Sequence, residues 1–274
     1  MAEGQRGRAR RGRARVAPLS AILRLHIVGS SPATQRPGSA CSCYLLRTSD
    51  AAILLDLGCG ALGKLQLAMD YADLDAIVIS HMHADHFFDL VPLRYGLKYG
   101  AKPAERMALW LPPGGRATLE ELRRVIGLDD DVDFFDTVFA IREYDPTEPL
   151  DIGGVRLRFC ATRHYVDAFS IRADCDERIF TYSADTAPSE AVAQHARGSA
   201  LFLCETSLGL GTEEGPRGHM SASEAGEMAS RANAERLVLT HYPAAAAPEA
   251  LVAAAKKIFS GPVECAVDGL ELVV

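Results

Sequence analysis

Four potential metal ligands fall within six residues of this chain, His81-Met-His83-Ala-Asp85-His86. Imidazole nitrogens and carboxylate oxygens are the donors that borderline divalent ions take. The β-branched run Ile77-Val-Ile-Ser80 ahead of them reads as a buried strand. On the extended or turning segment beyond it, His81 and His83 point to one side. The start of the next helix can then turn Asp85 and His86 toward a neighbouring point, so the segment supplies half-sites for two ions. The alternative is a solvated loop with scattered histidines.

A second candidate lies in Gly218-His-Met-Ser-Ala-Ser-Glu-Ala-Gly-Glu227. Ser221 followed by Glu224 is a capping-box pattern, which predicts a helix starting near Ser221 with His219 just ahead of it. There an imidazole stands beside free backbone N–H groups and a positive helix end, a setting that suits an anionic phosphoryl group and protonation of its leaving oxygen. The alternative is a solvent-exposed residue before a cap. The Cys41-x-Cys43 pair is read as two buried small residues near a strand rather than as a metal or redox site.

The run H-x-H-x-D-H after a strand resembles the signature of the metallo-β-lactamase superfamily. That resemblance implies further ligands: His164 in Ala161-Thr-Arg-His-Tyr165, Asp185 in Tyr182-Ser-Ala-Asp-Thr186 and His241 in Leu239-Thr-His-Tyr-Pro243. It also implies their partition, with His81, His83 and His164 on one metal, Asp85, His86 and His241 on the second, and Asp185 bridging both. Together with His219, six of the chain's eight histidines then fall at places that fit one site. Asp56, in Leu54-Leu-Asp-Leu-Gly-Cys-Gly60, resembles the family's early aspartate and is expected to fix a ligand imidazole from behind. His26 and His195 match no family position and are expected to be ordinary strand and helix residues, and Asp89 is expected to be a surface or supporting residue rather than a ligand.

The His219 segment is similar to the H-x-[ST]-x-x-E-A-G stretch of the ribonuclease Z branch, which implies that His219 is a general acid. Glu205, ending Leu201-Phe-Leu-Cys-Glu205, resembles the acidic residue expected to orient it. Asp85, His219 and Glu205 are thus the candidate catalytic groups. Ribonuclease Z inserts a tRNA-binding arm between its third and fourth metal motifs, whereas here only 20 residues separate His164 from Asp185, enough for two strands and a turn. From Gly29-Ser-Ser-Pro through Leu237-Val-Leu-Thr-His-Tyr-Pro243 the chain resembles the armless, atypical class II cyclic-AMP phosphodiesterases. The implied reaction is hydrolysis of a small phosphodiester, 3′,5′-cyclic AMP to 5′-AMP, by metal-bound hydroxide with His219 protonating the departing oxygen. The implied cofactors are two divalent ions; zinc is expected, and the same donors suit manganese and iron.

The elements that must position these residues follow from periodicity. Strands are predicted over Ile22–Gly29, Cys43–Arg47, Ala51–Leu57 and Asp75–Ser80, with a helix near Leu62–Met69. Helices follow near Phe88–Lys98 and Thr118–Ile126, then strands near Val138–Glu143, Val155–Ala161 and Ile179–Ser183, and the chain closes with helix, strand, helix, strand, strand. The expected fold is α/β: an αββα sandwich of two mixed β-sheets with helices on the outer faces, forming one domain over residues 17–274.

Composition bounds the function. Six arginines against one glutamate give residues 1–16 a charge of +5 and the look of a disordered basic arm, so the rest of a chain of net charge −7 carries −12. A body that acidic is a poor general binder of polyanions. The arm is read either as an extension without function or as a nucleic-acid or membrane tether. No run of about 18 apolar residues is present, and no apolar stretch of an export signal follows the arginines. Seven cysteines, an odd number without a C-x-x-C pair, make no disulfide framework and suggest the reducing cytoplasm. A homodimer is compatible with the sequence. The competing functions are tRNA 3′ processing, with the arm replacing the missing one, and carbon-ester or thioester hydrolysis, which needs the metals but not His219.

Because Arg-Gly-Ala repeats cannot join a core, deleting residues 1–16 is expected to leave both Tm and kcat/KM on a small substrate unchanged. A large loss in either would make the arm structural or part of the site.

Overall fold

The computed structural model describes residues 22–100, 106–126 and 132–274. The arm expected over residues 1–16 lies outside the described residues. The first half runs β1 (Arg24–Gly29), β2 (Cys43–Arg47), β3 (Ala52–Leu55), α1 (Ala61–Ala68), β4 (Ala76–Val78), α2 (Ala84–Phe87), α3 (Leu90–Tyr99), β5 (Met107–Leu111), α4 (Gly115–Val125) and β6 (Phe139–Glu143). The second half runs β7 (Leu150–Ile152), β8 (Val155–Ala161), β9 (Phe169–Cys175), β10 (Arg178–Tyr182), α5 (Glu190–His195), β11 (Leu201–Glu205), α6 (Ala222–Arg231), β12 (Leu237–Thr240), α7 (Pro248–Lys256), β13 (Val263–Cys265) and β14 (Glu271–Val273).

These strands form two seven-stranded sheets, ordered β14-β1-β2-β3-β4-β5-β6 and β13-β12-β11-β10-β9-β8-β7. Both are mixed. In the first, β3 to β6 run parallel and β14, β1, β2 and β3 antiparallel. In the second, β10 to β13 run parallel and β7 to β10 antiparallel. One core, with Leu25, Tyr44, Ile53, Ile171, Phe180 and Leu203, fills the space between the sheets. A second, with Leu45, Leu65, Ile77, Leu93 and Leu119, lies under α1, α3 and α4, and a third, with Val192, Phe202, Met228, Leu239 and Leu251, under α5, α6 and α7. The αββα sandwich expected from the sequence is the observed fold.

Covering both faces of the central strands explains why β2 and β11 read as almost unbroken apolar runs instead of alternating ones. Nearer the edge, β8 alternates buried and exposed residues, with Arg156 and Arg158 facing water. The segment between His164 and Asp185 holds only β9, β10 and the turn between them, as its length predicts. Three expectations are corrected. Met107–Leu111 is a strand inside the parallel set, although its five apolar residues carry no β-specific pattern. Pro248–Lys256 is an additional helix, its Ala-rich run opened by Pro at the first turn. The strand predicted to reach Leu57 stops at Leu55, because Asp56 turns the chain into the left-handed region at φ 59°.

In open α/β sheets, ligand sites form outside the carboxyl ends of parallel strands. Here β4, β10, β11 and β12 release their chains at the same edge, toward His81, Asp185, Glu205 and His241 respectively. The sheets are tied together there: His81 bridges Ala168, Phe169 N–H donates to Ser80 O at 3.1 Å, and His241 N–H donates to Ser30 O at 3.0 Å. Among the described residues no helix is long and apolar enough to cross a membrane.

Candidate metal centre

The structure brings His81, His83, His164 and Asp185 together as one group of donor atoms, and Asp85, His86, Asp185 and His241 as another, with Asp185 common to both. Asp185 Oδ2 lies 3.8 Å from His81 Nε2, 3.9 Å from His164 Nε2 and 3.5 Å from His86 Nε2, and its Oδ1 lies 3.6 Å from His241 Nε2. Asp85 Oδ2 is 3.1 Å from His241 Nε2 and 3.5 Å from His86 Nε2. His83 Nδ1 is 3.0 Å from His164 Nε2. The local cause is visible along the segment: β4 delivers His81, His83 precedes α2 with extended backbone angles, and α2 winds Asp85 and His86 inward.

Behind this cluster the supporting groups are buried. Asp56 accepts from Ser80 N–H at 2.7 Å, Ser80 Oγ at 2.8 Å, Tyr182 OH at 3.0 Å and the His86 ring Nδ1 at 2.7 Å. Its role behind a ligand imidazole was legible in the sequence; Ser80 and Tyr182, which share it, were not. His164 Nδ1 faces Gly218 O at 2.9 Å, where any side chain on Gly218 would collide with the ring. Gly58 likewise leaves room for the backbone of Asp85, whose carbonyl would lie 1.9 Å from an added Cβ. Asp89 is not on the surface: it is buried and accepts from Leu62 N–H at 2.8 Å, closing the first turn of α1. His26 in β1, paired with Glu271, and His195 at the end of α5 stand apart from the cluster, and Cys41 and Cys43 are free thiols.

At the rim, His219 Nδ1 is 2.9 Å from Glu205 Oε1 and 4.0 Å from Asp185 Oδ2. Ser221 and Glu224 form the capping box predicted for α6, which sets His219 just outside the helix. Glu205, His219 and His241 could be counted as a third donor group. However, Glu205 is fully used, accepting Thr186 N–H at 3.0 Å and Ser207 N–H at 2.7 Å besides the His219 ring. The cluster opens into a cleft of about 740 Å³ walled by Pro32, Ala33, Thr34, Ser207, Pro243 and Ala244, among others.

Residues 52–242 match the Beta-lactamase superfamily domain. A Mycobacterium leprae protein, ML1173, is 32% identical over 90% of this chain and 87% of its own length. The chain belongs to this superfamily. It is similar to a probable metallo-hydrolase of Bacillus subtilis, YhfI, at 27% identity over 90% of this chain and 98% of YhfI. The crystal structure of YhfI superposes with a TM-score of 0.84, covering 92% of this chain and all 100% of that one at 25% identity. Ribonuclease Z of Mycobacterium bovis is 26% identical over 89% of this chain and 95% of its own length. The chain is a metallo-hydrolase of the metallo-β-lactamase fold.

Its buried cluster fits divalent cations on chemical grounds. His81 Nε2, His86 Nε2 and Asp185 Oδ1 are buried without any hydrogen-bond partner, a costly arrangement unless a ligand satisfies them. Burial, the His86 charge and the neighbouring rings hold His81 well below the usual imidazole range against the pull of Asp185, and burial brings His164 down to about 4. Both shifts favour the neutral ring, the form in which an imidazole nitrogen can ligate a metal. Burial opposes the ionised forms of Asp85 and Asp185, but His241 and His86 outweigh it and hold both carboxyls below the usual carboxylate range. Burial would lower His86 too, yet Asp185 and Asp56 push it up, so this point demands positive charge.

Replacing Asp56 leaves four buried donors facing nothing, so Asp56→Ala is expected to destabilise the fold by about 3–5 kcal/mol, as other breaks of buried charge pairs do. Asp56→Asn, which keeps the shape, should instead lower metal affinity by about 10–100-fold through a misoriented His86. Denaturant titration and metal competition separate the two. Unchanged affinity in Asp56→Asn would remove Asp56 from the support of the centre.

Proposed function

We propose that this protein hydrolyses a small phosphodiester, 3′,5′-cyclic AMP to 5′-AMP in the best-fitting case, at a centre of two divalent ions, with zinc as the expected metal. The observation that carries the reading is the His219–Glu205 pair at the rim of the cluster, 4.0 Å from Asp185. Ester hydrolysis at carbon in such a site does not require it.

His81, His83 and His164 would hold one ion, Asp85, His86 and His241 the other, and Asp185 both. Bound there, the pair would activate water and offset charge on the phosphoryl oxygens. The chain's own residues do the rest. Glu205, anchored by two backbone N–H groups, keeps a carboxylate on His219 Nδ1 and so leaves Nε2 to carry a proton toward the cleft. Burial alone would lower the His219 pKa, but the Glu205 hydrogen bond and charge, with Asp185 behind, raise it to about 9. Its proton is held at neutral pH and lost as pH rises through that value. A general acid needs this state when the departing group is a sugar alkoxide.

The lining of the cleft supports a substrate with one negative charge. Among its described lining residues stand Asp85 and Asp185 but neither lysine nor arginine. A polyanion would find no counter-charge there beyond the metals and His219. This weighs against tRNA processing, for which the observation in favour is the similarity to ribonuclease Z. The deciding experiment is turnover of cyclic AMP, cyclic GMP, bis(p-nitrophenyl) phosphate, precursor tRNA and a thioester by protein of known metal content. Cleavage of the thioester alone overturns the phosphodiester reading.

Two outcomes follow for the site. Elemental analysis should find close to two metal ions per chain, and His83→Ala or Asp185→Ala should lose metal and activity together, whereas activity surviving strong chelation would end the metal reading. His219→Ala should keep both metals and the fold yet lower kcat on cyclic AMP by about 10²–10⁴-fold, the usual range for a general acid. The same variant should lose far less on a p-nitrophenyl diester, whose leaving group needs little protonation, and the wild-type rate on cyclic AMP should fall as pH rises toward 9. An equal loss on both substrates would make His219 a binding or structural residue.

A further inference from the structure

His241 is the one candidate ligand whose own backbone is left-handed, at φ 56°. An L-residue held there costs on the order of 1–3 kcal/mol, so something nearby must hold it. The fixing group comes from the loop between β1 and β2, two strands of the opposite sheet. Arg36 Nη1 donates to Ser30 O at 2.9 Å and to Tyr242 O at 2.9 Å. Ser30 O also accepts from His241 N–H at 3.0 Å. The guanidinium therefore closes a bridge around His241: one carbonyl bonded to that residue's N–H, the other on the residue after it. The same group lies over the Tyr242 ring, with Cζ 3.8 Å from the centroid, and Tyr242 is itself buried and donates to Ala266 O at 2.9 Å.

The clamp is anchored in turn. Arg36 Nη2 donates to Ser30 Oγ at 2.7 Å and Ser39 Oγ at 3.3 Å. Both hydroxyls donate onward to Asp268 Oδ1, at 3.1 and 2.7 Å, and Asp268 Oδ2 takes Ala40 N–H at 2.8 Å. The chain of bonds from guanidinium through two serines to a carboxylate balances the charge and fixes the position of Arg36. On the other half of the centre His164 is steered by Gly218 O, and no bond from Arg36 reaches it.

We propose that Arg36 is a positioning residue for the His241 half of the centre, holding the strained His241 backbone so that its ring meets Asp85 and Asp185. This rests on the two-ion reading above. Its consequence is selective: loss of the clamp weakens one ion and spares the other. Lysine cannot substitute, because Nη1 serves the two carbonyls while Nη2 serves the two serine hydroxyls, and one ammonium with three N–H groups cannot reach all four acceptors or stack on the tyrosine.

The test is a calorimetric titration of Zn²⁺ into metal-free full-length wild type, Arg36→Lys and Arg36→Ala, with the Tm of each metal-free protein measured alongside. Wild type should take up two equivalents. Both variants should lose about 10–100-fold in affinity for one equivalent, the range seen when an outer partner of a metal ligand is removed. The other equivalent should bind as in wild type, and the metal-free Tm should fall only modestly with the lost hydrogen bonds. Should Arg36→Ala fail to fold, Arg36→Lys, which keeps charge and stem, carries the same comparison. A parallel loss of both affinities with a large fall in metal-free Tm would make Arg36 a general fold staple and overturn the inference. Two unchanged affinities would overturn it as well. A wild type that takes up fewer than two equivalents defeats the two-ion reading itself, and the inference with it.

Discussion

A carboxylate sealed from water, Asp56, sits where the two sheets meet and collects hydrogen bonds from Ser80, Tyr182 and the His86 ring. In a medium of low dielectric such a charge is tolerable only when fully bonded, so its partners cannot wander. Through Ser80 it fixes the end of β4, through Tyr182 the end of β10, and through His86 the turn that follows His83. The edge at which the cluster assembles is therefore set by one buried acid that contributes no donor atom to the cluster itself.

The strand ends around it share a second property. Asp56, Ala184 and His241 all lie in the left-handed region, at φ 59°, 51° and 56°. Ala184 stands beside Asp185 and His241 is itself a cleft residue, whereas Asp56 faces the buried side of His86; each turns the chain sharply just beyond its strand. A relaxed extended backbone would carry these side chains past the centre. The strain is held by contacts within and between the sheets: Asp56 by Ser80 and His86 beyond β4 of its own sheet and by Tyr182 of the other, His241 by Ser30 and the Arg36 clamp.

Electrostatics then distinguishes the inner part of the site from its rim. Inside, neutral imidazoles and ionised carboxylates with partnerless atoms invite cations. At the rim, the Glu205 hydrogen bond and charge raise the His219 pKa to about 9 against burial, and Glu205 also accepts two backbone N–H groups. Asp185 and Glu205 thus differ in what they bond: one has a buried oxygen without a partner, the other accepts from two backbone N–H groups and the His219 ring. Small apolar residues on the cleft walls leave the metals and His219 as the positive features that a phosphoryl group would meet.

What the sequence by itself determined were features encoded locally. His81, His83, Asp85 and His86 lie within one turn of strand-to-helix chain, and the Ser221–Glu224 box declared α6 and the place of His219. The alternation of strands and helices sufficed for two mixed sheets, while β5, β7 and α7 escaped because such short or alanine-rich runs have no periodicity peculiar to either structure. The positions of His164, Asp185 and His241 came from resemblance, since each stands alone in its segment. Only the tertiary structure decided which atoms meet. The convergence of four donors on Asp56, the Gly218 carbonyl behind His164, and the Arg36 bridge from Ser30 to Tyr242 join residues from separate strands and loops. Such contacts depend on how two sheets pack, and no spacing along one strand can announce a partner on the other.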